Sequence, residues 1–241
     1  MDWREEGILI GIRRYGESSV IIEMFFENRG RHLGVVRGGI SKKLTPILQL
    51  GNQLDAHWKA RLEEHLGSFS IDLVKSRASL IMMDKVALSG LSSICGLLNF
   101  SLPERESHLL LYKKTFELLD LVASKKKWLT DYLSWEITLL EELGFGLDLS
   151  SCAVTGVLDN LKYISPRSGR AVSLEAAGDW SKRLLPLPNC LRGFDDGIED
   201  LIQGFLVTGY FLENKVASSL GQKVIPSSRR RFIESIKKLK I

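Results

Sequence analysis

Cysteine is scarce in this sequence, with three residues, at positions 95, 152 and 190, in a chain of 241. Three scattered thiols cannot build the disulfide framework of small exported domains, which fits a reducing compartment and a chain held together by its core. Histidine is nearly as sparse, at 32, 57, 65 and 108, and no pair has the three-to-four spacing of metal ligands on a helix face. No uninterrupted apolar run reaches the ~18–20 residues of a membrane span. The richest stretch, residues 80–102, is broken by Asp84, Lys85 and several serines. The opening Met1-Asp2-Trp3-Arg4-Glu5-Glu6 is acidic where an export signal is basic and then apolar, so the expectation is a cytoplasmic protein.

The signatures of common catalytic sites are missing as well. A phosphate-binding loop needs closely spaced glycines ending in Gly-Lys-Ser/Thr ahead of a helix. The nearest segment, Val36-Arg37-Gly38-Gly39-Ile40-Ser41-Lys42-Lys43, has its lysines out of register and no long helix after it. Gly11 and Gly16 are too far apart for a dinucleotide fingerprint, and no serine sits between glycines as a nucleophile elbow requires. Glu141 and Glu142 are neighbours, so on a helix they face different directions and cannot share acid–base work. Asp195, Asp196, Glu199 and Asp200 gather where a helix starts, and its macrodipole accounts for them. The expectation is no enzyme, no cofactor and no metal.

What the chain does have is a core and segregated charge. Hydrophobic residues make up 44% and charged ones 26% of the sequence, enough for one large domain or two small ones. The net charge is only +4, but it is unevenly placed. Residues 13–43 hold seven basic side chains against three acidic ones, and residues 222–241 hold seven against one, so the rest of the chain nets −6. Two basic regions around an acidic middle suit a polyanion touched at one face and one tail.

Residues 1–75 read as strands. Runs at 7–12, 19–26 and 32–37 are separated by Gly-centred turns at 14–18 and 28–31, and residues 49–59 and 68–75 supply two more. Five short strands suit an OB-fold barrel. After Lys75 the apolar spacing changes to threes and fours, predicting helices over 79–98, 104–124 (opened by Pro103), 128–143 (stopped by Gly144), 196–220 (stopped by Gly221) and a short basic helix from Pro226 to Lys240. Between 148 and 180 the pattern is irregular and turn-rich, with one short strand at 161–164. The fold class is therefore α+β: an N-terminal β-barrel over residues 1–78 and a helical domain over 79–241, with a small insert at about 148–178.

Ordered short motifs add a family resemblance. Glu6-Gly7-Ile8-Leu9, Arg14-Tyr15-Gly16-Glu17-Ser18, Met24-Phe25-Phe26, Arg29-Gly30-Arg31 and Val36-Arg37-Gly38 open the set. Leu48-Gln49-Leu50, Leu143-Gly144-Phe145-Gly146-Leu147-Asp148, Cys152-Ala153, residues 165–172 and Ser228-Arg229 continue it. Together they resemble the bacterial RecO family of recombination mediators along essentially the whole chain. The resemblance implies a non-enzymatic DNA-repair protein that binds single- and double-stranded DNA and anneals complementary strands. It implies contacts with the single-stranded-DNA-binding protein and with RecR, and a role with RecR in loading RecA onto coated DNA. The implied fold is an OB barrel, a helical bundle and, in many members, a zinc-binding insert.

On such a barrel, cations follow the backbone of the nucleic acid and aromatics lie under its bases. The candidates are Arg13, Arg14, Arg31, Arg37, Lys42 and Lys43, with Tyr15 as the exposed aromatic. Lys42 and Lys43 follow glycines, where a mobile loop can track phosphates. Phe25 and Phe26 point to opposite faces of one strand, so at most one can stack on a base. Arg229, Arg230 and Arg231 form a second basic contact. Contacts of this kind carry no sequence information.

The sequence departs from the family in two places. Where zinc-bearing members place two cysteine pairs, this chain has Cys152, Thr155, Ser173 and Ala176, one thiol of four, so the expected insert is a degenerate zinc ribbon that holds no metal. Cys95 and Cys190 read as buried small hydrophobes. Some relatives also carry arginine where this chain has Ser134, ahead of Trp135-Glu136. The resemblance would put the partner's acidic tail there; without that arginine the expectation is weaker binding at that spot, or a shift to Lys125, Lys126 and Lys127 or to the C-terminal arginines. Two other readings keep the charge argument, a protein-recruiting adaptor with weak DNA contact and an OB-fold RNA-binding factor.

Overall fold

The computed structural model describes residues 1–124, 126–194 and 196–240. Five strands come first: β1 (Asp2–Tyr15), β2 (Ser19–Phe26), β3 (Gly30–Val36), β4 (Gln53–Lys59) and β5 (Ser68–Lys75). Helices α1 (Ala78–Ile81), α2 (Lys85–Ser101), α3 (Leu109–Ala123) and α4 (Leu129–Glu142) follow. Then come β6 (Leu161–Ile164), β7 (Ala171–Ser173), α5 (Leu174–Ala177), β8 (Leu185–Pro186), α6 (Ile198–Phe211), α7 (Ala217–Ser219) and α8 (Ser227–Lys237). The chain forms two compact units, one of Met1–Lys126 with Pro226–Ser235, the other of Lys127–Ile225 with the last residues. Among the described residues no helix is long and apolar enough to cross a membrane.

The first unit is built on a closed barrel with strand order β1-β2-β3-β5-β4. All pairings are antiparallel except β3 with β5, where Val35 lies opposite Ser68 and its N–H donates to the Gly67 carbonyl at 3.1 Å. Alternation along β2 explains the closure. Val20, Ile22, Met24 and Phe26 point inward with Leu9, Val36, Leu54, Ala56, Trp58 and Phe69, and each contributes about 1.5–3 kcal/mol of burial if large. The opposite face of β2 is buried too: Phe25 packs edge-on against Tyr112 of α3 at 5.4 Å. Neither phenylalanine is therefore open to a base. The Asn99 amide of α2 donates to the Ile10 carbonyl at 2.8 Å, near the bulge between Leu9 and Gly11.

Two helix boundaries differ from the sequence expectation. The helix expected over 79–98 is broken, because Asp84 turns its carboxylate back to accept the amides of Val86 and Ala87 at 2.9 and 3.0 Å and so starts α2 afresh. Pro103 does not open a helix. It forces Leu102 into an extended conformation, and the following residues pair with the start of β3. The Arg105 amide donates to the Arg31 carbonyl at 2.8 Å and the Ser107 hydroxyl to that of Glu27, so α3 begins only at Leu109. The segment from Pro226 to Ser235 completes this unit: α8 lies on α2, with Ser235 and Ser89 hydroxyls 2.9 Å apart and Ser228 close over Gly96.

The second unit has a core of α4 and α6, with Tyr132 edge-on to Phe205 at 5.7 Å. Gly204 permits the approach, since a Cβ there would meet Leu133 and the Cys190 sulfur at 2.7 Å. Buried Glu136 accepts the Thr208 hydroxyl at 2.6 Å. The helix expected over 196–220 is interrupted: α6 starts at Ile198 after Gly197 and passes at Leu212 into a wider turn before α7. Asp196 and Asp200 accept from Asn189 and from the Asn189 and Cys190 amides, so they cap a neighbouring turn, while α6 itself follows Gly197 with no side-chain cap; Asp195 lies outside the described residues. The irregular insert is a three-stranded sheet of order β7-β6-β8.

Candidate nucleic-acid interface

The strand registers place the sequence-derived cations at one end of the barrel. Arg13, Arg14 and Tyr15 close β1 opposite Ile21, Val20 and Ser19 of β2, and Arg37 follows the last residue of β3. Directly paired residues share a face, so Arg14 lies on the Val20 side while Arg13 and Tyr15 lie on the other. The loop after β3 folds onto this end: the Ile40 amide donates to the Ser18 carbonyl at 3.4 Å, and Gly39 lies so close to Val20 that a Cβ would meet it at 2.4 Å. Lys42 and Lys43 project from that loop. It is not the mobile loop the glycines suggest. Amides of Leu44 and Thr45 return to the Ser41 carbonyl, and Leu44, Ile47 and Leu48 anchor it in the barrel core.

Arg13, Arg14, Arg37, Lys42 and Lys43 are all exposed, and none forms an ion pair among the described residues. Tyr15 is 53% exposed beside them. Five cations gathered without carboxylate partners keep their full field for an external anion.

Arg31 does not belong to this group. It stands at the opposite end of β3, its guanidinium donating to Glu23 at 2.7 Å and to the Leu102 carbonyl at 2.9 Å. Its side chain is only 15% exposed, so its charge is already matched inside the fold. The C-terminal trio divides in the same way. Arg229 is buried and engaged in packing, whereas Arg230 and Arg231 are exposed, with Arg230 3.9 Å from Glu234 and Arg231 donating to the Ser227 hydroxyl. Lys237 and Lys238 extend the exposed side of α8.

The other end of the barrel is aromatic. His32 is buried among Trp3, Trp58 and Phe69, with ring centroids 4.9–6.4 Å away, and neither ring nitrogen has a hydrogen-bond partner. Burial, helped by Arg105 and Arg29, pushes its pKa down to about 4, so it is a neutral core residue. Between barrel and α3, fully buried Arg77 donates to Asp120 at 2.6 Å and lies over Phe116 at 4.5 Å. Desolvation would raise the Asp120 pKa, but Lys75 and Arg77 outweigh it and hold it low.

Residues 1–77 match the family model described as Recombination protein O N terminal, and residues 82–223 match Recombination protein O C terminal. The chain is 54% identical over 238 residues to the DNA repair protein RecO of Jannaschia sp. strain CCS1, covering 99% of this chain and 97% of the relative. It is 54% identical to that of Roseobacter denitrificans, with 98% of each chain covered, and 51% identical to that of Dinoroseobacter shibae, with 97% of each covered. The chain belongs to the RecO family.

The family's zinc site can then be tested on the residues present. Cys152 is buried, and its sulfur accepts the Ser173 amide at 3.3 Å. Burial raises its pKa, yet hydrogen bonds from the Thr155 hydroxyl and from the Ser173, Thr155 and Val154 amides outweigh burial and bring it down to about 6. The Ser173 hydroxyl meanwhile caps α5 by accepting the Ala176 amide. One thiol, two hydroxyls and a methyl group do not fit tetrahedral zinc, and among the described residues no group of three or more His, Cys, Asp or Glu is placed to hold a metal. Cys95 and Cys190 are buried, their thiols raised to about 12, chiefly by burial.

At the position where some RecO relatives would carry arginine, Ser134 is exposed and Trp135 is buried against Tyr132. Lys126 and Lys127 are exposed, and Lys125 lies outside the described residues. Sequence reasoning passed over residues 178–194, at the end of the insert, where Lys182, Arg183 and Arg192 stand against Asp179 within the acidic middle.

Proposed function

We propose that this chain binds single- and double-stranded DNA through its phosphates at the Arg13/Arg37/Lys42 end of the barrel, and that residues 1–78 form the DNA-binding domain. The observation that carries the reading is the set of five exposed cations, none paired to a carboxylate, beside Tyr15. Backbone contacts position a strand without reading its bases, which leaves the bases free to find their complement. Two strands held this way are raised in local concentration while their mutual repulsion is screened, so annealing needs no enzymatic turnover. Arg230 and Arg231 on α8 add a second basic contact. Membership of the RecO family supports assigning the chain to DNA repair and recombination in the cytoplasm. It also supports contacts with RecR and the single-stranded-DNA-binding protein that help load RecA.

Reversing Arg13, Arg14 and Arg37 to Glu should abolish annealing of complementary oligonucleotides while leaving the unfolding midpoint nearly unchanged, because none of the three holds a partner in the fold. Annealing at the wild-type rate would move the site away from this end of the barrel. Capture of RecR and of the single-stranded-DNA-binding protein by the immobilised chain tests the partners separately; capture of neither would remove the loading role.

A further inference from the structure

Four of the five tryptophans are accounted for by packing: Trp58, Trp128 and Trp135 are buried, and Trp3 lies against the barrel core. Trp180 is not, being 63% exposed. It sits in a turn of 3-10 helix, Gly178–Arg183, held between α5 and β8, and β8 pairs with β6. The mount is therefore part of the insert's sheet rather than a free loop. The Arg183 guanidinium lies over the indole, 5.0 Å from its centroid, with exposed Lys182 next to it in sequence. A second pair repeats the arrangement on the next turn of 3-10 helix, where Arg192 lies 5.9 Å over Phe194, itself 57% exposed. From 178 to 194 the charged residues are Lys182, Arg183 and Arg192 against Asp179 alone.

An exposed indole beside cations that pair with no carboxylate among the described residues has the parts of a single-strand stacking platform: a base lies on the ring while its phosphates meet guanidinium and ammonium. The bases of a duplex are stacked on one another and cannot reach such a ring, so the platform should discriminate single from double strands. We infer that Trp180, with Arg183 and Lys182, is a second binding site on this chain, specific for unpaired bases of single-stranded nucleic acid. The inference rests on the DNA-binding reading above and adds a site on the second unit, separate from the barrel cations.

The indole is its own reporter. The full chain is titrated with a 15-residue oligothymidylate, following both tryptophan emission and the anisotropy of a labelled oligonucleotide. Binding should quench the emission, and W180F should lose that quenching but keep most of the affinity. W180A should weaken single-strand binding about 5- to 100-fold and change affinity for a 15-base-pair duplex less than twofold. Oligonucleotide bound with unchanged emission, or an equal loss on the duplex in W180A, overturns the platform and leaves the barrel reading standing. No binding of the oligonucleotide at all overturns both. Quenching by an aspartate-rich peptide in place of the oligonucleotide would identify a protein ligand and overturn the assignment to nucleic acid.

Discussion

Two buried groups make sharp predictions at the residue scale. His32 has no hydrogen-bond partner and a pKa of about 4 in the fold, against about 6.5 in an unfolded chain. Between those values the unfolded state binds the extra proton. Stability from keeping His32 neutral is thus intact above about pH 6.5 and is lost as pH falls toward 4, in total roughly 3 kcal/mol. Urea midpoints from pH 7 to 4 should fall less steeply in H32L than in wild type; parallel curves would show that this ring does not titrate as described. Arg77 is the second case. Its guanidinium is fully buried, and among the described residues Asp120 is its one carboxylate partner, with the Gly51 carbonyl and the Gln53 side chain at longer contacts of 3.5 and 3.4 Å. D120A leaves that charge unmatched and should cost about 3–5 kcal/mol, read as a lower denaturant midpoint with an unchanged slope. Neither burial was visible in the sequence, where His32 falls in a strand run and nothing marks Arg77. Burial of a polar side chain is decided by what the chain brings over it, here Trp3 and Trp58 in one case and α3 in the other.

Elements were legible where a local pattern decides them. Glycine turns and alternating apolar residues gave all five barrel strands, because one face of each had to enter the barrel core. Five helices were expected and eight are present among the described residues, since 79–98 and 196–220 each divide and α5 lies in the irregular stretch. Apolar spacing runs straight through residues 79–98, but Asp84 offers an acceptor to two amides, and that local bond outweighs continuity. D84A should therefore cost about 1 kcal/mol while leaving the fold intact, a difference that thermal melts of the two chains will resolve. Pro103 misled for a related reason: it marks a chain segment free to be helical or extended, and pairing with β3 selected the second. The insert holds a single thiol, Cys152, with the Thr155 hydroxyl and the Ser173 amide among its hydrogen-bond donors. Combining T155C, S173C and A176C should restore one equivalent of bound zinc, measured by metal analysis of the purified protein, whereas the natural chain should carry none. Zinc in the natural chain, or none in the variant, would contradict this account of the insert.

For the whole molecule, a net charge of +4 conceals its organisation. Part of the N-terminal positive charge is internal, since Arg31 serves the fold; the part that faces solvent collects where the β1–β2 hairpin meets the loop after β3. Pro226–Ser235, with Arg230 and Arg231, returns to the first unit, so chain order alone understated how much basic surface that unit carries. Sequence could locate the charges but not sort them into paired and unpaired, because pairing depends on strand register and on chain neighbours some seventy residues apart, such as Arg31 and Leu102. The claim that the unpaired set holds nucleic acid is tested most directly by the salt dependence of affinity for a single-stranded oligonucleotide. Five phosphate contacts predict that log affinity falls against log salt with a slope of about −3 to −4, shrinking by about half or more in R13E/R14E/R37E. A slope shallower than about −1 in the natural chain would contradict it.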